Sequence, residues 1–147
     1  MFRRVDADID HRLGSLVRAL PGTRALLARC VELGIKTAVV TNDVATRAER
    51  TLAAAGLAVD VIAGSDLVAH GKPAPDLARF ALAKLGVDPN DAVCVGDHPH
   101  DIDMAKAAGI ARAIAVLTGT SDAAAFARTR SEGGVDVVAG LDRVRLL

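Results

Sequence analysis

The chain has 147 residues, of which 51% are hydrophobic and 24% charged. This balance is typical of one globular domain and excludes a disordered chain or two full domains. Eighteen basic residues face eighteen acidic ones, and aromatic residues make up 2% of the chain. We therefore expect no attraction to nucleic acid or to an anionic membrane, and no aromatic platform for stacked bases.

We also expect neither a membrane span nor an export signal in this sequence. No apolar stretch approaches the roughly 20 residues that span a bilayer, and the N-terminal residues lack a signal-peptide pattern. The expected compartment is the cytoplasm.

Helical and strand-like segments alternate along the chain. Apolar residues at spacings of three and four predict a helix over residues 1–20, before Pro21-Gly22. Short runs of apolar and β-branched residues predict strands at 36–41, 59–63, 92–95, 112–117 and 135–138. Further helices are predicted over 23–33, after 43 up to Gly56, from 76 to about Gly86, from 99 to Gly109, and from about Ser121.

This alternation predicts an α/β fold: a Rossmann-like three-layer sandwich with a mainly parallel sheet. In such sheets the ligand site lies outside the carboxyl ends of the strands. Three polar groups follow predicted strands, and we expect them at that edge: Thr41-Asn42, Gly71-Lys72-Pro73, and Gly96-Asp97 with Asp101.

Each group also has a purely structural interpretation. Asn42, or Asp43 beside it, could cap the following helix. Lys72 could be a solvated turn residue, and Asp97, Asp101 and Asp103 could complement the positive end of the helix that begins near Pro99.

The three groups together indicate a different chemistry. A hydroxyl with backbone donors, an ammonium group and two carboxylates are what a phosphate and its Mg²⁺ require. Hard oxygen ligands hold the metal, while the ammonium neutralises the charge of the phosphate.

The stretches Gly71-Lys72-Pro73-Ala74-Pro75-Asp76 and Gly96-Asp97-His98-Pro99-His100-Asp101 resemble the haloacid dehalogenase (HAD) superfamily, in particular phosphoglycolate-phosphatase-like hydrolases. The resemblance runs from Pro21 to the C-terminus. It implies a Mg²⁺-dependent phosphatase of small phosphorylated metabolites.

The resemblance also implies roles for particular residues. Thr41 and the Asn42 backbone would bind the phosphoryl group, and Lys72 would stabilise its charge. Asp97 and Asp101 would hold or orient Mg²⁺, so Lys72 and Asp97 are the expected catalytic residues.

The nucleophile of that superfamily is an aspartate in a DxDGT motif at the end of its first strand. This sequence has no such motif. Asp6 and Asp8 are poor substitutes, because no apolar strand precedes them and the helical spacing places them on a polar face.

Residues 1–20 resemble the helix that returns from a cap domain, and residues 21–147 resemble the α/β core. By this resemblance we expect the chain to lack the nucleophile strand and most of the cap domain. In the superfamily the first strand lies in the middle of the sheet, so a chain without it would expose two inner strand edges. We expect either that the sheet closes directly, or that a second copy or a partner polypeptide completes it. A non-catalytic remnant that binds Mg²⁺ and phosphate is the alternative to a phosphatase.

Other functional interpretations are weaker. Cys30 and Cys94 are expected to be buried free thiols. A zinc site of Cys94, His98 and His100 is disfavoured by the adjacent acids, and the two histidines are expected at the rim of the site. A receiver domain would place its acids before its threonine and lysine, which is the reverse of the order here.

Overall fold

The computed structural model describes residues 17–128 and 133–146. Along these residues helices and strands alternate, which confirms the predicted α/β fold class. The strands are β1 (Ala38–Val40), β2 (Val61–Ala63), β3 (Val93–Gly96), β4 (Arg112–Val116) and β5 (Val135–Val138). The α-helices are α1 (Thr23–Glu32), α2 (Ala45–Ala54), α3 (Asp76–Leu85) and α4 (Pro99–Ala107).

All strand pairs of the described residues are parallel. β1 pairs with β2, with Ala38 opposite Val61. β4 lies between β3 and β5, with Ala115 opposite both Gly96 and Val137. The carboxyl ends of β3, β4 and β5 therefore lie at one edge, where the loops that follow them can meet.

Helices cover both faces of the β3-β4-β5 sheet. Ala113 and Ala115 of β4 pack in one cluster with Ile102 of α4, because alternate residues of a strand point to opposite faces. Ile114, between them, packs on the other face, where Leu26 of α1 lies. Both faces of β4 are thus buried, as its continuous apolar sequence predicts.

The sheet is divided between β1 and β3. In the described residues β1 pairs only with β2, and β3 pairs only with β4, so each strand has an unpaired inner edge. Even so, Val40 of β1 and Cys94 of β3 pack against one cluster that contains Leu77 and Met104. Within residues 17–128 and 133–146 the two halves share a core without sharing strand hydrogen bonds, and the sheet does not close directly.

Some boundaries differ from the predictions. Residues 17–20 have no regular secondary structure, although the first helix was expected to reach Leu20; Pro21 disfavours a helical conformation in the residue before it. The expected last helix starts as a tight 3-10 turn, Ala123–Phe126, in which Asp122 caps the amide of Ala125. Expectations for residues 1–16, including Asp6 and Asp8, lie outside the described residues.

No helix within 17–128 and 133–146 has the length and apolar character needed to cross a bilayer.

The start of α2 is held by residues that the sequence analysis did not assign. Asp43 does contribute, since its Oδ1 accepts a hydrogen bond from the Val44 amide at 2.8 Å. The first helical amide, that of Ala45, donates instead to Asp66 Oδ1 at 2.7 Å. A carboxylate after β2 therefore caps the helix that follows β1, which ties the two strand ends together.

Replacing Asp66 with alanine leaves the Ala45 amide without this acceptor. We expect the Asp66→Ala variant to lose about 1 kcal/mol of unfolding free energy, measured by urea denaturation at pH 7. Asp91→Ala, at an exposed position before β3, is the control and should stay within about 0.5 kcal/mol of the parent chain. Equal midpoints for the two variants would contradict the capping role.

Candidate functional site

The structure brings residues from three segments together at the carboxyl ends of the strands. The Lys72 amide donates to Asn42 Oδ1 at 2.7 Å, and the Asn42 side-chain amide lies 3.4 Å from the Lys72 carbonyl. Lys72 Nζ donates in turn to Asp101 Oδ1 at 2.7 Å. Asn42, Lys72 and Asp101 thus form a continuous chain of contacts from the end of β1 to the start of α4.

The Lys72–Asp101 ion pair is largely shielded from water. The exposed fractions of the two side chains are 17% and 10%. In such surroundings opposite charges attract more strongly than at an open surface, but each depends on the other to offset its desolvation. The solvated-turn interpretation of Lys72 is therefore wrong for its ammonium group.

Asp101 also stabilises the start of α4. Its Oδ2 accepts a hydrogen bond from the His98 amide at 3.0 Å, while His98 Nδ1 accepts one from the His100 amide at 3.1 Å. These reciprocal bonds form a capping box. The structural interpretation of Asp101 thus holds alongside its place in the ion pair, and the capping bonds fix the carboxylate that faces Lys72.

The other predicted residues lie near this chain of contacts in different settings. Thr41 follows β1, and its hydroxyl oxygen accepts a hydrogen bond from the Asp43 amide at 3.1 Å, which leaves the hydroxyl hydrogen free to donate. Asp97 follows β3 directly and is exposed. Asp103 faces away, since its carboxylate pairs with Arg128 at 3.2 Å.

Three glycines allow close packing around the predicted site. A Cβ atom added to Gly71 would lie 2.6 Å from Asn42 Oδ1, and one added to Gly96 would lie 2.3 Å from the Cβ of Asp101. The third, Gly119, lies in the turn after β4, and its added Cβ would be 2.1 Å from Asp97 Oδ2. The sequence analysis missed Gly119; its signal was a glycine just after a predicted strand of the same sheet.

Cys94 lies close to the ion pair, with its Sγ 3.8 Å from the Asp101 carbonyl oxygen. Burial, and secondarily the negative charge of Asp101, raises the pKa of the Cys94 thiol to about 11. The thiol is therefore protonated at neutral pH, whereas the thiolate is the reactive form. Both thiols are free, as expected, but only Cys30 is buried, whereas Cys94 is partly buried; burial raises the pKa of Cys30 too. Neither cysteine has the properties of a nucleophile.

The donor set at this edge fits Mg²⁺ in part. Asp97 offers an exposed carboxylate, a hard oxygen ligand, whereas both oxygens of Asp101 already accept hydrogen bonds. Among the described residues no group of three His, Cys, Asp or Glu side chains is placed to hold a metal ion. The part that fits is the Asp97 carboxylate, because Mg²⁺ commonly takes one or two carboxylates and completes its shell with water and phosphate oxygens.

The chain is similar to known proteins in sequence and in fold. A family model described as haloacid dehalogenase-like hydrolase matches residues 4–109. The chain is 40% identical over 112 residues to a plasmid-encoded phosphoglycolate phosphatase of Cupriavidus necator, which is 75% of this chain and 47% of that protein. It is 42% identical over 93 residues to the phosphoglycolate phosphatase of Rhodospirillum rubrum, which is 61% of this chain and 38% of that protein.

A solved structure shares the fold. The crystal structure of CbbY from Rhodobacter sphaeroides in complex with phosphate superposes with a TM-score of 0.76 at 30% identity, and the match covers 91% of this chain and 61% of CbbY. The chain spans less than half the length of the two curated relatives. The family match covers most of the chain and includes both motifs of the predicted site, so the predicted relationship is confirmed. The chain belongs to the haloacid dehalogenase-like hydrolases, as a phosphoglycolate-phosphatase-like member.

Proposed function

We propose that the chain binds the phosphate group and Mg²⁺ in a phosphomonoesterase of small phosphorylated metabolites. The contact of Lys72 Nζ with Asp101 Oδ1, at 2.7 Å, carries this proposal. It holds an ammonium group at the strand ends, where the loops of a parallel sheet bind anions. A lysine held in this way neutralises charge on a phosphoryl group as that charge develops.

The residues after β1 supply the donors for the phosphate oxygens. Thr41 retains a free hydroxyl hydrogen, and the backbone amide of Asn42 lies next to it. The Asn42 side chain is used differently, because it holds the backbone of Lys72 through two contacts. In this arrangement Thr41 and the Asn42 amide orient the phosphate, while the Asn42 side chain keeps Lys72 beside it.

Asp97 and Asp101 have separate roles in the proposed metal site. Asp97, with its exposed carboxylate, would bind Mg²⁺ directly. Asp101, held by Lys72 Nζ and the His98 amide, would orient the lysine and the metal's shell. When bound, Mg²⁺ withdraws charge from the phosphate oxygens. Phosphatases of this family generally depend on Mg²⁺, which supports the assignment.

The names of the relatives support a phosphorylated substrate. Two of them are phosphoglycolate phosphatases, and CbbY has been crystallised with phosphate and, as a mutant, with xylulose-(1,5)bisphosphate. A covalent route through an aspartyl-phosphate needs a carboxylate nucleophile. The two proposals, a phosphatase and a non-catalytic remnant that binds Mg²⁺ and phosphate, differ in whether such a nucleophile is present.

The divided sheet favours a further proposal about assembly. We infer that the inner edges of β1 and β3 pair with a strand exchanged from a second copy of the chain. Unpaired backbone groups between two packed halves are costly unless they find partners. The shared cluster around Leu77 and Met104 already aligns the two halves for such an addition.

Removing the ammonium of Lys72 tests the ion pair itself. The Lys72→Met variant leaves the Asp101 carboxylate with less compensation for its burial, so we expect a loss on the order of 3 kcal/mol in unfolding free energy by urea denaturation. Adding Asp101→Asn to the Lys72→Met variant removes the uncompensated charge and should restore part of the lost unfolding free energy. Purely additive effects would contradict the coupling.

Phosphatase activity is tested with p-nitrophenyl phosphate and Mg²⁺. We expect turnover that EDTA removes and that Asp97→Asn lowers by at least about 100-fold, because the exposed carboxylate no longer binds the metal. Asp91→Asn, an exposed acid before β3, is the matched control and should retain parental turnover. Absence of turnover in the parent chain would rule out self-sufficient catalysis and leave the binding-only remnant, which phosphate titration by calorimetry then examines.

Native mass spectrometry tests strand exchange. We expect a dimer. Its dissociation should coincide with the loss of cooperative thermal unfolding, because the exchanged strand is part of both folded copies. A strictly monomeric chain with a cooperative melt would contradict the proposal, as would a complex with a different polypeptide.

A further inference from the structure

The turn after β4 reaches the carboxylate proposed to bind Mg²⁺. β3 and β4 are parallel neighbours, with Gly96 opposite Ala115, so the residues that follow each strand leave the sheet at the same edge. Asp97 is the first residue after β3, and Gly119 is the third after β4. Register alone therefore places this turn beside Asp97.

Contact between the two residues is close. A Cβ built on Gly119 would lie 2.1 Å from Oδ2, 2.7 Å from Cγ and 3.1 Å from Cβ of Asp97. The first two distances are shorter than any that real Cβ atoms show. The Asp97 carboxylate thus occupies the volume that any side chain at position 119 would need.

The backbone of Gly119 does not explain why glycine stands there. Seven described glycines have a positive φ, where other residues are strained, and Gly119 is not one of them. Alanine could adopt its backbone conformation. The obstacle to a side chain is the Asp97 carboxylate, which makes the constraint one of space around a site residue.

We propose that Gly119 is a positioning residue for Asp97: its bare α-carbon forms the surface on which the carboxylate rests. Asp97 is exposed, and an exposed aspartate samples several side-chain rotamers. Contact with Gly119 reduces the number of rotamers that Asp97 can adopt. A substitution at 119 turns the carboxylate away about χ1 and removes it from the metal. The functional part of this inference rests on the role proposed for Asp97 in Mg²⁺ binding.

The test compares the parent chain with Gly119→Ala by two measurements. Isothermal titration with MgCl₂ should show affinity weakened by about 10- to 100-fold, the usual effect of losing a group that orients a metal ligand. The ¹³Cγ resonance of Asp97, recorded without metal, should shift because the carboxylate changes rotamer. An unchanged resonance, or a shifted resonance with unchanged Mg²⁺ affinity, would overturn the inference.

Failure of the proposed function gives a different result. If the parent chain binds no Mg²⁺, the metal role of Asp97 is wrong, and the positioning contact is then decided by the resonance alone. Inorganic phosphate, titrated without Mg²⁺, serves as the second ligand: its affinity should change little in Gly119→Ala, because Thr41, Asn42 and Lys72 are proposed to bind it. An equal loss of both affinities would indicate general disruption and count against a positioning role.

A double variant covers the case in which Gly119→Ala does not fold. Asp97→Ala removes Oδ2 and Cγ, the two atoms in the closest contacts. If these contacts are the cause, Gly119→Ala/Asp97→Ala should melt close to Asp97→Ala alone. If the double variant also fails to fold, the clash does not involve these Asp97 atoms, and the proposal is refuted.

Discussion

The buried contact of Lys72 with Asp101 holds the proposed site together. β1 and β3 exchange no hydrogen bonds, so the polar link between their carboxyl ends runs from Asn42 through Lys72 to Asp101. The two charges compensate each other, and Asn42 Oδ1 holds the lysine backbone in place by accepting a hydrogen bond from the Lys72 amide. The arrangement of the strand ends, and with it the proposed phosphate and metal site, depends on this interaction.

Steric constraints also limit the positions of the side chains in the proposed site. Gly71, Gly96 and Gly119 lie so close to Asn42, Asp101 and Asp97 that a methyl group at any of the three would displace a site side chain. Gly71 and Gly119 lie in two different loops, and Gly96 is the last residue of β3. Small residues at these points allow backbone segments to converge, which leaves the polar side chains little freedom and favours a preorganised site.

The described residues account for binding better than for bond cleavage. They provide a lysine, a threonine hydroxyl and carboxylates, whereas Cys94, the thiol next to the site, stays protonated because burial raises its pKa to about 11. Asp6 and Asp8 lie outside the described residues. A phosphatase reaction would need a group that attacks phosphorus, and the proposed strand exchange would supply a strand between β1 and β3.

Much of this site could be predicted from the sequence. Periodicity identified the alternating elements, and the polar residues after strands 36–41 and 92–95 were placed at one edge because parallel strands end together. The motif around Lys72 and the one around Asp101 then indicated phosphate chemistry and the family. These properties follow from local patterns: the period of a helix or strand, and short motifs whose spacing is set within one loop.

Tertiary structure decided which of these residues touch. Lys72 could have been a solvated turn residue, and 29 positions separate it from the carboxylate that it meets. Asp66, not Asn42, caps α2 from across a strand crossover, and Gly119 meets Asp97 only because β3 and β4 pair in one register. Such contacts join distant parts of the chain, so no local pattern encodes them. The sequence by itself determined the chemical groups and their edge of the sheet; folding determined their partners, because packing and register bring together residues that the chain keeps apart.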